Sequence, residues 1–272
     1  MVELFVCNLN IKKMKKICFV VPDGVGIKNY LYSSIISKLS KKKNEIVILH
    51  NISSNAIKNI KNLYGFNVSF KKIPGYEESV KQKFLRELIS LLRIYNNIKL
   101  TKNESLKNNW NPKKKGINYL FYTIIEFLSV IFKNRYNFIL NIEKIYYKSI
   151  DSSSENHKLL LENFKTDVIF NTHQRSLVSI PIISAAKKMK IRNVGAIYSW
   201  DNVPKARLSV KTDEYVVWSE HMKDEMLLFY PEIKAENISI TGTPQFEFYH
   251  QKDLIVEKKA FFQKFGLDIH KR

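Results

Sequence analysis

Four short polar segments of the sequence follow apolar runs and carry side chains that are common in acid–base and binding sites. They are residues 22–29 (PDGVGIKN), 171–175 (NTHQR), 199–202 (SWDN) and 242–245 (GTPQ). The apolar runs before them have the length and β-branched composition of buried strands. Because ligands of open parallel sheets bind beyond the carboxyl ends of the strands, we expect the four segments to meet at one edge of a sheet.

Asp201 is the first candidate for a general base. It follows Trp200 at the end of an apolar run, where an aromatic neighbour and partial burial would raise the pKa of its carboxyl group. A carboxylate poised in that way can remove the proton of an attacking hydroxyl group. The spacing also fits a second interpretation, in which Asp201 or Asn202 caps a turn before Pro204.

His173 is the second candidate base, and Gln174 and Arg175 beside it are candidate substrate-binding residues. A histidine at such a position is either a base or an ordinary loop residue, and its two polar neighbours leave both interpretations open. Arg175 is one of only 7 arginines among the 45 Lys and Arg residues of the chain. An arginine in so lysine-rich a sequence suggests a need for a planar, bidentate donor.

Two glycine-containing loops complete the candidate site. Their candidate substrate-binding residues are Asp23, Gly24, Gly26 and Asn29 in the first loop and Gly242, Thr243 and Gln245 in the second. The first loop does not have the GxGxxG spacing of a dinucleotide-binding loop, so it is either an ordinary β–α turn or a place where an acceptor approaches the backbone. The second loop is likewise either a turn or part of the site.

The elements that must position these residues alternate between apolar runs and helical patterns. Strands are predicted at residues 17–21, 46–49, 66–70, 167–170, 194–198, 214–218 and 238–241. Helices are predicted at residues 30–39, 177–188, 220–229 and 254–265. This βαβ rhythm predicts an α/β fold, a Rossmann-like doubly wound parallel sheet over residues 1–250.

The middle of the chain departs from that rhythm. Long helical patterns run over residues 80–100, 117–132 and 138–150, and a polar, basic loop is predicted over residues 101–116. The sequence therefore predicts a helical insert at about residues 77–150.

The net charge of +20 is unevenly distributed. Residues 1–116 hold 23 Lys and Arg against 7 Asp and Glu, a net of +16, and residues 117–272 hold 22 against 18, a net of +4. A basic half suggests phosphates, an anionic membrane surface or nucleic acid as partners. Part of the positive net charge reflects a general abundance of Lys, which accompanies an abundance of Asn and Ile in this sequence. We expect no nucleic-acid partner, because no recognised module interleaves the basic residues with aromatics.

The two cysteines, Cys7 and Cys18, predict neither a disulfide framework nor a zinc site. Cys18 lies inside an apolar run and is expected in the core. The start of the sequence lacks the basic region of a signal peptide, and no window offers about 20 uninterrupted apolar residues. A cytoplasmic location is therefore predicted, with a peripheral position on the inner face of the plasma membrane as an alternative. We predict no metal and no cofactor.

The segment from residue 199 to 249 resembles a known family. Its SWDN, the basic residues after it, DEYVVWS, the Met-Lys pair at 222–223 and GTPQF are similar in order to the N-terminal half of bacterial GT-B glycosyltransferases of surface-polysaccharide gene clusters. These are related in pattern to the CDP-glycerol glycerophosphotransferase and UDP-glycosyltransferase groups. NTHQR and PDGVGIKNYLYS resemble upstream blocks of the same family, and the resemblance covers residues 167–250 and, less closely, 15–50.

The resemblance implies roles for the candidate residues. An acceptor sugar would stack near Trp200, with Asp201 or His173 near the attacking oxygen. The residues implied to line the acceptor side or to hold phosphate are Arg175, Ser199, Asn202, Lys205 and Arg207. In such enzymes a second Rossmann-like domain holds the nucleotide-sugar donor, and residues 251–272 resemble the connecting helix toward it.

The implied function is the acceptor-side half of a glycosyltransferase in surface polysaccharide or glycolipid synthesis, with a lipid-linked or polysaccharide acceptor. The donor would be bound through a missing domain or a partner, so the chain alone is expected to be incomplete. The alternative is a non-catalytic basic module that binds an anionic membrane surface or a polyanion. It rests on the basic half and on the apolar pattern 117–132, which is flanked by Lys113, Lys114, Lys115, Lys133 and Arg135. Glu126 favours instead a core helix of the insert.

Overall fold

The structure is a computed structural model, and it describes residues 15–42, 44–64, 68–206, 208, 210–250, 255–268 and 270. Arg207 and Cys7 lie outside the described residues, as do the start of the third predicted strand and the start of the last predicted helix.

Seven parallel strands form one sheet in the order β3-β2-β1-β4-β5-β6-β7. The strands are β1 Lys16–Val21, β2 Glu45–His50, β3 Val68–Lys72, β4 Val168–Asn171, β5 Arg192–Ala196, β6 Glu214–Val217 and β7 Ile238–Ile240. The order of the strands reverses between β1 and β4, as in a Rossmann-like doubly wound fold. The predicted α/β fold is therefore confirmed.

The central strands are apolar on both faces because helices cover the sheet on both sides. Along β1, Phe19 and Val21 enter one core cluster, whereas Cys18 and Val20 enter the other. This alternation is the period of two that a pleated strand imposes. Burial also raises the pKa of the Cys18 thiol to about 12, so its predicted place in the core is confirmed.

Nine α-helices of at least seven residues lie in the part of the chain that the structure describes. They are α1 Ile35–Lys41, α2 Ser54–Lys61, α3 Val80–Thr101, α4 Ile117–Phe132, α5 Tyr136–Ile150, α6 Glu155–Asn163, α7 Ser179–Lys188, α8 Glu220–Phe229 and α9 Lys258–Phe265. Other helical segments are the turn Gly24–Gly26, the π-helix Ile27–Leu31 and the 3-10 helices Glu104–Asn109, Asp151–Ser153, Ala235–Asn237 and Pro244–His250. Within the described ranges, no helix combines the length and the hydropathy that are needed to cross a membrane.

The single helix predicted over residues 30–39 is wrong in detail, because the chain forms the π-helix Ile27–Leu31 and then a separate α1. The hydroxyl of Ser33 causes the interruption. It donates to the carbonyl of Tyr30 at 2.8 Å and accepts from the backbone N–H of Ile35 at 3.4 Å. Serine hydroxyls that bond to nearby backbone compete with a continuous helix in this way.

The predicted helical insert corresponds to α3, α4 and α5, which follow β3 and precede β4 in the sequence. Both α4 and α5 pack on α3. A buried cluster around Arg93 attaches the insert to the sheet. Its guanidinium, 1% exposed, donates to Glu143 at 2.8 Å and to Glu232 at 2.7 Å, and Lys211 lies 2.5 Å from the second oxygen of Glu143. Glu232 follows α8, so the cluster ties two insert helices to the last third of the sheet domain.

Candidate functional site

The loops after β1 and β4 meet at the point where the strand order reverses. Oδ2 of Asp23 lies 2.5 Å from Nδ1 of His173 there. Open α/β sheets bind their ligands in the crevice at this point, beyond the carboxyl ends of the strands. The pair is therefore placed where the fold favours a binding site.

Local structure holds Asp23 toward β4. Its Oδ1 accepts a hydrogen bond from the backbone N–H of Val25 at 3.0 Å, which caps the short turn Gly24–Gly26. Gly26 has to be glycine, because a Cβ at this position would lie 2.4 Å from the hydroxyl oxygen of Thr172. The close approach of the two loops thus depends on a residue without a side chain.

The environment of Asp23 keeps its carboxylate charged. Burial opposes the charge, but the hydrogen bond and charge of His173 and the backbone N–H groups of Val25 and Gly26 outweigh burial. The pKa of Asp23 therefore lies below its ordinary value.

His173 is oriented on two sides. Its ring packs edge-on against Tyr198, with 4.6 Å between the centroids, and its Nδ1 faces Asp23. Since Asp23 is an acceptor, Nδ1 carries the proton of the neutral ring and Nε2 keeps its lone pair. Nε2 is buried, and no hydrogen-bonding partner for it occurs among the described residues. Its lone pair is unused among the described residues, although the atom itself is enclosed by the protein.

Asp201 lies in a different setting from the one the sequence suggested. Ser199 donates to its Oδ1 at 2.7 Å, and Lys205 forms an ion pair with its Oδ2. Trp200 is 68% exposed and does not bury the carboxylate.

The expected rise in the pKa of Asp201 is therefore wrong. Burial acts to raise the pKa, but hydrogen bonds from Lys205 and Ser199 and the charges of Lys205 and Arg175 lower it on balance. These local bonds fit the turn interpretation, and the catalytic role of Asp201 stays a prediction.

The loops after β4 and β5 contact each other at the same edge of the sheet. Nη1 of Arg175 lies 3.3 Å from Oδ1 of Asn202, and His173 touches Tyr198 at the end of the run that contains β5. With the Asp23 contact, this confirms that the loops after β1, β4 and β5 converge. His173 and Asp201 thus lie on the same side of the domain.

Several candidate residues are buried beneath the edge of the sheet at which the loops converge. Gln174 and Asn202 are fully buried, and Asn29 is almost fully buried. Nε2 of Gln174 lies 3.4 Å from the hydroxyl of Thr212, and its side chain fills the space where a Cβ of Gly195 would otherwise stand. The predicted substrate contacts of these residues stay predictions. Their burial favours a role in holding the loops in position.

The loop after β7 has the local contacts of a turn, and the predicted substrate contacts of Gly242, Thr243 and Gln245 stay predictions. Gly242 adopts a left-handed φ of 68°, and the hydroxyl of Thr243 accepts from the backbone N–H of Gln245 at 3.4 Å. Glu247 then reaches back to the first loop region, where it accepts from the backbone N–H of Ser34 at 2.8 Å. Residues 244–250 thereby lie against the start of α1.

Two further residues complete the site: Tyr198, which sequence reasoning missed, and Asn171, which begins the predicted segment 171–175 but was given no role. Tyr198 supports the ring of His173, and Oδ1 of the buried Asn171 accepts from the backbone N–H of His173 at 3.3 Å. The signal for Asn171 was a polar residue at the end of an apolar strand. Tyr198 gave no such signal, because an aromatic residue at a strand end is common in a core.

No three His, Cys, Asp or Glu side chains cluster as a metal site requires in the described part of the chain. No protein-family model matches the sequence, and no curated protein matches it significantly.

Proposed function

We propose that this chain forms the acceptor side of a glycosyltransferase and that His173 is its general base. The Asp23–His173 pair at the reversal of the strand order carries this proposal. Nε2 of His173 removes the proton of an acceptor hydroxyl as the oxygen attacks the anomeric carbon of a nucleotide sugar. The bond from that carbon to the diphosphate breaks, and the nucleotide leaves with the electron pair.

Asp23 has a positioning role in this step. Its carboxylate holds the proton on Nδ1, so that the lone pair of Nε2 serves the acceptor, and it stabilises the imidazolium that forms. The resemblance to GT-B enzymes supplies the reaction class, and in that class a second domain or a partner holds the donor. Arg175 and Lys205 lie at the same edge, where their charges suit a phosphate of donor or acceptor.

Transfer from a panel of nucleotide sugars, with a donor-binding partner present, tests this proposal. His173→Ala should lower the rate by about 10²- to 10⁴-fold, the usual contribution of a positioned base. Asp201→Asn should change it by less than about tenfold, because the lowered pKa of Asp201 makes it a weak base at neutral pH. Loss of transfer in Asp201→Asn with retention in His173→Ala would assign the base to Asp201 instead.

A second candidate function is binding to an anionic membrane surface, and the exposed face of α4 favours it. One face packs on the insert through the buried Tyr122, Ile125 and Ser129. The other exposes large apolar side chains at helical spacing, with Ile117 reaching 89% exposure. These are Ile117, Leu120, Ile124, Phe127 and Ile131. The expectation of a plain core helix thus holds for one face only.

The charges around α4 fit an anionic lipid surface. Lys113 and Lys115 are exposed before the helix, and Lys133 and Arg135 are exposed after it. Glu126, the acidic residue of α4, is paired with Lys114 at 2.6 Å. An apolar face between basic ends is the pattern of a helix that lies in the membrane interface.

Vesicle sedimentation separates the two contributions to membrane binding. Lys133→Glu should weaken binding to anionic vesicles by about 1 kcal/mol at most and leave neutral vesicles unaffected. Phe127→Ser should weaken binding to both kinds of vesicle by about 1 kcal/mol or more. Equal binding of the wild-type protein to neutral and anionic vesicles would show that the basic residues take no part.

A further inference from the structure

A cavity of about 350 Å³ lies between the helical insert and the loops that follow β4 and β5. It shares Arg175 with the candidate site, and this residue stands two positions after His173 in the chain. Small-molecule sites usually measure about 300–1,000 Å³. The cavity is therefore at the small end of that range and suits one ring-sized group.

Aromatic side chains form much of the wall and are held in fixed positions. Nε1 of Trp110 donates to Oε2 of Glu87 at 2.9 Å, and the Trp110 ring meets Tyr122 edge-on at 5.9 Å. Tyr146 and Tyr147 lie on the side of α5. A ring that is already fixed loses little conformational entropy on binding. The negative face of an aromatic ring attracts the polarised C–H groups of a sugar.

The acidic side chains in the wall are already paired within the protein, and the cation Arg175 contacts the side chain of Asn202. Arg86 lies 2.9 Å from Glu87, and Glu143 lies 2.7 Å from Arg93 and 2.5 Å from Lys211. A charged ligand would have to compete with these pairs and lose its own hydration. Hydroxyl groups need only the lone pairs that a paired carboxylate still offers, since each carboxylate has about four acceptor positions.

We infer that this cavity binds one neutral polyhydroxylated ring of the pyranose class, with Trp110 as the stacking surface and Glu87 and Glu143 as acceptors of its hydroxyl groups. The inference deepens the proposed transfer, on which it rests for the role of the ring as acceptor. It also moves the stacking surface from Trp200, which is exposed at the sheet edge, to an enclosed wall built by the insert.

Methyl pyranosides are the probe, because they bind without any donor or partner. Saturation-transfer NMR on the full chain, with a series of methyl hexopyranosides and N-acetylhexosaminides at about 10 mM, detects a Kd in the millimolar range. Ser90→Phe places a ring into the cavity from α3, and Trp110→Ala removes the stacking surface. Tyr32→Ala removes an exposed aromatic ring outside the cavity and is the matched control.

We expect at least one pyranoside to bind, with about tenfold weaker binding in both Ser90→Phe and Trp110→Ala and wild-type binding in Tyr32→Ala. Thermal unfolding of each variant shows whether it is folded, and the two cavity variants act by opposite changes in volume. Binding that survives Ser90→Phe, that is lost in Trp200→Ala alone, or that is absent for the whole series overturns the inference.

The two experiments can reject the sugar site in the cavity and the proposed base independently of each other. Transfer that depends on His173 while no pyranoside binds would leave the proposed function standing and remove the cavity. Pyranoside binding that depends on Ser90 and Trp110, together with transfer that ignores His173, would keep the cavity as a sugar site and contradict the proposed base.

Discussion

The Asp23–His173 pair and the Arg93 cluster both bring titratable side chains together, but Arg93 is buried whereas the pair is half-buried, and the two differ in how completely their hydrogen-bonding groups are satisfied. Arg93 donates to Glu143, Glu232, Tyr136 and the carbonyl of Phe229. His173 has a partner at Nδ1, whereas its buried Nε2 has none within the described ranges. A saturated cluster holds elements together, and an incompletely satisfied pair leaves one atom for a ligand.

Loss of Arg93 gives the largest effect that this contrast predicts. Arg93→Met leaves the buried Glu143 and the more exposed Glu232 with Lys211 as their remaining cation, so the free energy of unfolding should fall by about 3–5 kcal/mol. Guanidinium chloride unfolding at neutral pH measures the loss.

Arg86→Met on the same helix is the matched control for that measurement. Arg86 pairs with Glu78 and Glu87 in a more exposed position, so its removal should lower the free energy of unfolding by much less. Equal losses in the two variants would mean that the Arg93 cluster does not hold the insert to the sheet.

The Arg93 cluster should also make the stability of the protein depend on pH, through the carboxyl group of Glu232. Burial opposes the charge of Glu232, but Arg93 and Lys211 outweigh it and lower the pKa from 4.5 to about 2. Because the folded pKa is depressed, the stabilisation is fully present above about pH 4.5 and is lost as the pH falls toward 2. Each unit of pKa shift corresponds to about 1.4 kcal/mol at most, and because Glu232 is partly exposed, screening by solvent reduces the whole loss to about 1–2 kcal/mol.

A pH series of unfolding curves for Glu232→Gln and Glu236→Gln checks this expectation. Glu236 pairs with the exposed Lys234, so its variant should keep the wild-type loss of stability in acid. Glu232→Gln should show a shallower loss over the same range. Parallel curves for the wild type and Glu232→Gln would contradict the role of Glu232.

Asp201 should show a small effect, since its partner is a partly exposed lysine. Asp201→Asn removes the ion pair with Lys205, which should lower the free energy of unfolding by about 1 kcal/mol or less. A loss comparable to that of Arg93→Met would place Asp201 in a structural role as important as the cluster, and thermal denaturation separates the two cases.

The convergence of the candidate loops was predictable from the sequence because it follows from strand order alone. Apolar runs such as residues 17–21 and 167–170 mark buried parallel strands, and parallel strands end at one edge. The helix over residues 117–132 was predicted with the bounds it has, because its apolar pattern is long and keeps helical spacing.

The pairings at that edge were not predictable, since they depend on neighbours that are distant in the chain. His173 and Asp23 are 150 positions apart, and Arg93 and Glu232 are 139 apart. The pKa of Asp201 was predicted in the wrong direction because Trp200, its neighbour in sequence, turns to solvent while Lys205 turns toward the carboxylate. A lone sequence shows composition and period but not which side chains face one another.

The protonation of the His173 ring tests the central claim most directly. Long-range ¹H–¹⁵N correlation NMR on the full chain distinguishes the two ring nitrogens, and His173→Gln identifies the signal. In the neutral ring the proton should reside on Nδ1, with Nε2 unprotonated, and Asp23→Asn should disturb that preference. A proton on Nε2, or a preference for Nδ1 that survives in Asp23→Asn, would contradict the account.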